Sequence, residues 1–230
     1  DFRVKECRDN LNSLDSCLSD ILEDIKPLLS QGLPDLNIPI LEPVLLETLE
    51  FAQQEGPVNI RARLKDVHVS GISNFTLQLL KTDLTNNEIK VKVHLPVLRV
   101  QGNYVLQGNL LLLPVTGEGP FRAVLRDINA ALIGQIVVKD RGQGQQTLGV
   151  DNTRINFRLE KARVRLHNLF NGDELLGQTV NHFINNNDQL ILNEVKPALS
   201  RDIALLIEGV LDSALSTLPA ELLSLPADLL

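Results

Sequence analysis

Apolar residues recur at three- and four-residue steps over 12–30, where Leu14, Leu18, Ile21, Leu22, Ile25, Leu28 and Leu29 share one face and Asp15, Asp20, Glu23 and Asp24 fill the other. That spacing predicts an amphipathic helix. Gln31 and Gly32 end it, and glycine supplies a left-handed stop. Three prolines then fall between Leu33 and Pro43, which predicts an extended, largely buried segment.

From Val58 to Val164 the period changes to two. Val58, Ile60, Ala62 and Leu64 alternate with polar residues, as do Ile89, Val91, Val93, Leu95 and Val97, and later Ile155, Phe157 and Leu159. These are half-buried antiparallel strands, separated by turn signals at Asn86-Asn87, Gly102-Asn103, 117–120 and 141–144. Two strands change phase. Apolar positions run 58, 60, 62, 64 and then 67 and 69; they run 155, 157, 159 and then 162, 164 and 166. An extra residue re-aims side chains as a β-bulge does, and bulges bend strands. Long bulged strands suit a sheet that wraps around something.

The stretch 173–216 supplies that object. Leu176, Val180, Phe183, Ile184, Ile191, Val195, Leu199, Ile203, Leu206 and Val210 form a helical band, widened by Leu190, Leu192, Ala204 and Leu205. So wide a band predicts burial nearly all round. Pro197 should kink the helix, and 185–188 (NNND) reads as a break or a polar patch. A continuous helix here would span on the order of 60 Å, implying an elongated molecule. The tail 217–230 holds two similar units, LPAELL and LPADLL, expected to dock on the body.

Composition sharpens the picture. Aromatics make up only 3% and roughly a fifth of the chain is leucine, so the interior is aliphatic. Net charge is −7, which argues against a nucleic-acid binder. The histidines His68, His94, His167 and His182 have no metal-ligand spacing, and no nucleophile–base constellation or phosphate loop appears. The expectation is a protein with no catalytic residues, no metal and no cofactor, whose aliphatic interior is either a fully packed core or one left open as a tunnel for a bound apolar ligand. Arg154, Arg158, Lys161, Arg163 and Arg165 form a basic stripe on the last strand. A solvated outer face is the plain reading; docking to anionic lipid headgroups is the alternative, against which the net charge weighs.

The chain starts at Asp1 and contains no Met, which suggests removal of a secretory signal peptide, although a trimmed chain fits equally. Cys7 and Cys17 are either two free thiols or one disulfide, the latter contributing about 2–3 kcal/mol. Asn74-Phe75-Thr76 is a glycosylation sequon.

Several segments resemble one family. The Cys7/Cys17 spacing, the run GLPDLNIP at 32–39 with Glu42-Pro43, GNLLLLPVTGEG at 108–119 and NLFNG at 168–172 are similar to the takeout and juvenile-hormone-binding proteins of insects. Hormone-binding members carry a second disulfide; two cysteines place this chain nearer the takeout branch. The resemblance implies an α+β fold related to tubular lipid-binding domains. A long C-terminal helix would be wrapped by a strongly curved antiparallel sheet, around an internal hydrophobic tunnel. It further implies a secreted, extracellular haemolymph carrier of terpenoids, carotenoids, fatty acyl chains or similar lipids, with membrane contact at most transient. Oligomeric state is left open.

One domain is expected over 1–230, with helix and Pro-rich segment at 1–43, sheet at 57–166, helix at 173–216 and tail at 217–230. Facing alone selects the tunnel wall: Ile60, Leu64, Leu95, Val97, Leu111, Leu113, Phe121, Leu125, Phe157 and Leu159 from the strands, and Phe183, Ile184, Ile191, Leu199 and Ile203 from the helix.

Alkylation of the unreduced protein, followed by intact mass, should find no modified cysteine. Two modified thiols would remove the disulfide.

Overall fold

A computed structural model describes residues 14–53, 58–142 and 145–220. Its elements are α1 (Leu14–Ile25), β1 (Val44–Gln53), β2 (Val58–Ser70), β3 (Thr76–Asp83), β4 (Glu88–Leu110), β5 (Leu113–Asp140), β6 (Gln146–Leu166), α2 (Glu174–Asn186) and α3 (Asp188–Leu215). The strands form one antiparallel sheet in the order β1-β2-β4-β5-β6, with β3 beside the first part of β4. The sheet is curved and not closed.

α3 packs chiefly on β6, yet it also touches β1 and β2 near the opposite margin. A helix reaches both margins of a sheet only when the sheet curls around it. β4, β5 and β6 run for 23, 28 and 21 residues. Ordinary strands average about 5–6 residues, so these are long enough to bend.

Two devices shape the curve. In β2, Asp66 and Val67 stand opposite the single residue Gly102, so the register slips between Lys65 and His68. This is a β-bulge, and it is why the apolar phase changes after Leu64. A Cβ on Gly102 would lie 2.8 Å from the Lys65 carbonyl oxygen, so only glycine fits opposite it. The phase change in β6 has a different origin. Leu159 pairs with Ile128 and Ala162 with Leu125, with no slip between. Leu95 pairs with Ile128 and Leu98 with Leu125, again with no slip. Each of β4, β5 and β6 therefore places two successive residues on the outer face at one level, and the ladder pairs at Pro96/Asp127 and Asp127/Glu160 are missing. Asp127 has φ 53°, and Pro96 has no N–H to donate. The three strands reverse phase together, so each keeps its apolar side inward.

β6 is an edge strand, and an edge leaves a row of backbone groups unpaired. The helices supply the partners. The Asn181 side chain accepts from the Leu166 N–H and donates to the Leu166 carbonyl, both at 2.8 Å. Asn185 does the same for Val164, at 2.8 and 2.7 Å. Asp188 accepts from the Ala162 N–H, Glu208 from that of Thr153 and Asp212 from that of Val150. Gln189 donates to the carbonyls of Leu159 and Glu160. Four helical residues rise about 6 Å and two strand residues about 6.6 Å, so Asn181 and Asn185 meet Leu166 and Val164 in step. Beyond the helix, the Leu148 N–H donates to the Leu218 carbonyl and Thr147 bridges Pro219. The start of the first tail unit, through Ala220, thus docks on the same edge; the rest of the tail lies outside the described residues.

Several expectations need correction. The helix expected over 173–216 is two helices, because Asn187 between them has non-helical angles (φ −119°, ψ 29°). α3 is not buried all round: Leu190, Leu205 and Leu206 are exposed, as are Leu175 and Leu176 of α2. The sheet starts at Val44, upstream of 57. The Pro-rich segment is neither extended nor largely buried. Pro34–Leu36 forms a 3-10 turn, and Pro34, Asp35, Pro39 and Ile40 are exposed. A 3-10 turn needs few bonds, and proline at its start sacrifices no donor.

Asn185→Ala should destabilise the protein by about 2 kcal/mol or more, since it strips partners from two backbone groups of β6. Asn186→Ala, one residue along and exposed, should change stability by less than about 0.5 kcal/mol. Urea titration of both variants checks this; equal effects would mean that water replaces the Asn185 side chain.

Candidate binding interior

The alternation of β2, β4, β5 and β6 turns their apolar side chains toward the helices. Two clusters result. The first contains Val58, Ile60, Ala62, Val67, Tyr104, Leu106, Leu110, Val115, Phe121, Leu169, Val180, Ile184 and Val195. The second contains Ile128, Phe157, Leu159 and Ala162. Leu199 of α3 packs against both, so the apolar interior is continuous along the helix.

Thirteen of the fifteen wall positions expected from the sequence fall in or against these clusters. Ile60, Phe121 and Ile184 belong to the first, with Leu64, Leu111, Phe183, Ile191 and Leu199 packed on it. Phe157 and Leu159 belong to the second, with Leu95, Leu125 and Ile203 packed on it. Two do not. Val97 stands opposite the exposed Arg126. Leu95 and Leu98 both pack inward, so Val97 lies on the outer face, a consequence of the phase reversal at Pro96. Leu113 shares the face of Val115 but sits at the hairpin end of the sheet, outside both clusters.

The inner wall is unevenly covered. Ile60, Phe121 and Leu159 are buried, whereas Leu64, Leu95, Leu98, Leu125, Leu199 and Ile203 are only half-buried although they face inward. In a filled core such residues would be close-packed on every side. These six inward-facing side chains keep part of their apolar surface uncovered.

Polar groups at this interior are few. Tyr104 is 2% exposed and donates to the His167 carbonyl at 2.7 Å. Burial pushes its phenol up to about 12, so it stays a neutral donor across physiological pH. Gly117 makes room for it: a Cβ there would lie 2.9 Å from both the Tyr104 hydroxyl and the Leu169 Cα. Lys196 of α3 holds its ammonium 5.6 Å from the centre of the Phe157 ring. The Thr153 hydroxyl is buried without a hydrogen-bond partner.

The sequence reading missed Tyr104 and the asparagines of α2. The signal for Asn181 and Asn185 was their four-residue spacing on a helix face expected to be buried. Cys17 is disulfide-bonded; Cys7, its expected partner, lies outside the described residues. Asn74 is exposed in a 3-10 turn. Among the described residues no group of three metal-ligating side chains occurs, and no helix is long and apolar enough to cross a membrane.

A long curved antiparallel sheet encloses a C-terminal helix pair, with apolar clusters between them. Residues 2–224 match the family model described as haemolymph juvenile hormone binding protein, and the chain belongs to that family. The circadian clock-controlled protein daywake of Drosophila melanogaster is 21% identical over 212 residues, covering 89% of this chain and 82% of that protein. Its counterpart from Drosophila yakuba is 19% identical over the same shares. Takeout 1 of Epiphyas postvittana has the same fold, with a TM-score of 0.77 and 24% identity over 89% of this chain and 93% of that one.

Ile203→Asp should cost about 2–4 kcal/mol, because it sets a carboxylate without a partner against the second cluster. Leu205→Asp, two residues on and 63% exposed, should melt within a few degrees of the parent. Similar losses in both would place Leu205 inside.

Proposed function

We propose that this protein is a secreted carrier that holds a long apolar molecule between the helix pair and the inner face of the sheet. The observation that carries this reading is the half-buried state of the inward-facing Leu64, Leu95, Leu98, Leu125, Leu199 and Ile203. Membership of a family described as haemolymph hormone-binding supports it. So does the disulfide at Cys17, which suits an oxidising compartment. Asn74, exposed in its turn, is open to glycosylation on the same route.

Aliphatic walls bind hydrocarbon by burial, worth about 0.8 kcal/mol per CH₂. A fifteen-carbon chain would gain about 12 kcal/mol gross, set against roughly 4–15 kcal/mol lost on association. At the low end of that cost about 8 kcal/mol is left, which corresponds to micromolar affinity. With few aromatics to stack on a ligand, selectivity would rest on the length of the space and on rare polar groups such as Tyr104 and Lys196. Terpenoids, carotenoids and fatty acyl chains all meet these requirements.

Mass spectrometry of an organic extract of the purified protein should show a co-purified lipid. Leu111→Phe and Leu125→Phe should weaken displacement of a fluorescent fatty acid by tenfold or more. Over-packing a filled core costs about 1–3 kcal/mol; filling open space should cost the stripped protein less. If both variants are strongly destabilised and the parent binds no probe, the interior is solid and the carrier reading fails.

A further inference from the structure

The inner face takes the ligand; the outer face has a charge pattern of its own. Strand pairing sets Arg165 of β6 beside Arg122 of β5, and Lys161 beside Arg126. Arg163 lies beside Val124, which in turn pairs with Arg99 of β4. Their neighbours Phe121, Leu125, Ala162, Val164 and Leu166 pack inward or pair with residues that do. Alternation therefore puts all six cations on the outer side, and all six are exposed. Adjacent strands lie about 4.8 Å apart and alternate residues about 6.6 Å apart, so these side chains form one continuous array on the convex side of the sheet.

Among the described residues none of the six has an ion-pair partner, and the one hydrogen bond from the group runs from Arg163 to the Asn185 carbonyl, at 2.8 Å. Ser70, Gln101, Val97 and Val124 complete the array, and its first acidic groups are Asp127 and Glu160 at the phase reversal. This concentration of positive charge sits on a chain of net charge −7. Local like-charge crowding of this kind persists at a cost, and an opposing surface of negative charge relieves it.

We propose that the outer face of β4, β5 and β6 around Arg122 and Arg165 docks the protein on the phosphate-bearing surface of an anionic lipid bilayer. The cations are spread over three strands rather than gathered around one point, as a single small anion would need. The face also lacks the aromatic and apolar centre that a protein partner would need. A plane of headgroups needs only spread charge opposite it. With a net charge of −7 on the whole chain, the acidic remainder is repelled and helps to turn this face toward the surface. The inference rests on the outer face alone, so it stands or falls separately from the carrier reading.

Co-sedimentation of the full chain with vesicles tests it. The protein should bind phosphatidylcholine–phosphatidylserine vesicles and not phosphatidylcholine alone. Raising the salt from 0.01 to 0.15 M shortens the screening length from about 30 to about 8 Å and should weaken binding by about tenfold or more. Arg122→Glu/Arg165→Glu should lower binding at least tenfold. Lys81→Glu/Arg201→Glu, the same change in net charge elsewhere on exposed positions, should stay within about twofold. If the first pair lowers the melting temperature, Arg122→Gln/Arg165→Gln takes its place with the same expectation. Equal loss in the patch and control pairs, binding to phosphatidylcholine alone, no binding to the mixed vesicles at low salt, or retention on heparin without vesicle binding would each overturn the proposal.

Discussion

The constraint on which the architecture depends is the open edge of β6. A 21-residue strand ending a sheet exposes a long row of N–H and C=O groups. Extending the sheet or closing it into a barrel would satisfy them, but neither occurs. Side chains from α2 and α3 reach across instead, at Asn181, Asn185, Asp188, Gln189, Glu208 and Asp212. The helices therefore run along the edge rather than across the middle of the sheet. One flank is fastened by polar contacts, and the apolar flank is left facing the concave wall. That separation leaves the helix pair attached without relying on the apolar contacts alone. In most α+β proteins the same apolar contacts must both attach the helix and fill the core; here attachment is shared with a row of hydrogen bonds.

Curvature follows from the same need. For α3 to be held on β6 while touching β1 and β2, the sheet must turn through a large angle between its margins. The bulge at Asp66 and Val67 bends one side. The shared reversal at Pro96, Asp127 and Glu160 acts across three strands at once. A reversal confined to one strand would have turned its leucines to solvent for the remainder of its length. Reversal in all three keeps the apolar columns aligned and confines the interruption to two missing ladder pairs.

These features explain what could be read from the sequence. The strand regions, the direction of most wall residues and the helical C-terminal stretch follow from periodicity, which reports which side chains meet water. The reversals in β2 and β6 were visible as breaks in phase. That in β4 was not, because Pro96 falls on an outward position and Val97 continues the apparent alternation; only the pairing with β5 shows that Val97 has crossed over. β1 was missed for a related reason. VLLETLEFAQ spaces its leucines as a helix could, and it is a strand because β2 offers it an edge. The run at 185–188 was ambiguous because asparagine serves equally as a helix breaker and as a backbone mimic. In this protein Asn187 ends the helix while Asn185 pairs with β6.

The two faces of the sheet then divide the work by chemistry. The inner face is aliphatic and offers few hydrogen bonds, so on the proposed carrier reading it would discriminate little among hydrocarbons and release them without breaking specific contacts. A carrier of that kind needs its location, rather than its wall, to decide where cargo is exchanged. The outer face carries its cations on β5 and β6, the strands that also supply Leu125, Phe157 and Leu159 to the interior. Contact on the outside is separated from the cargo by one layer of backbone. Because the edge of β6 is held by side-chain hydrogen bonds rather than by a continued sheet, it is the seam whose opening would breach the fewest backbone ladders. Asn185 is fixed to that seam while its carbonyl accepts from Arg163 of the outer face, which ties a surface cation to the same residue that caps the β6 edge.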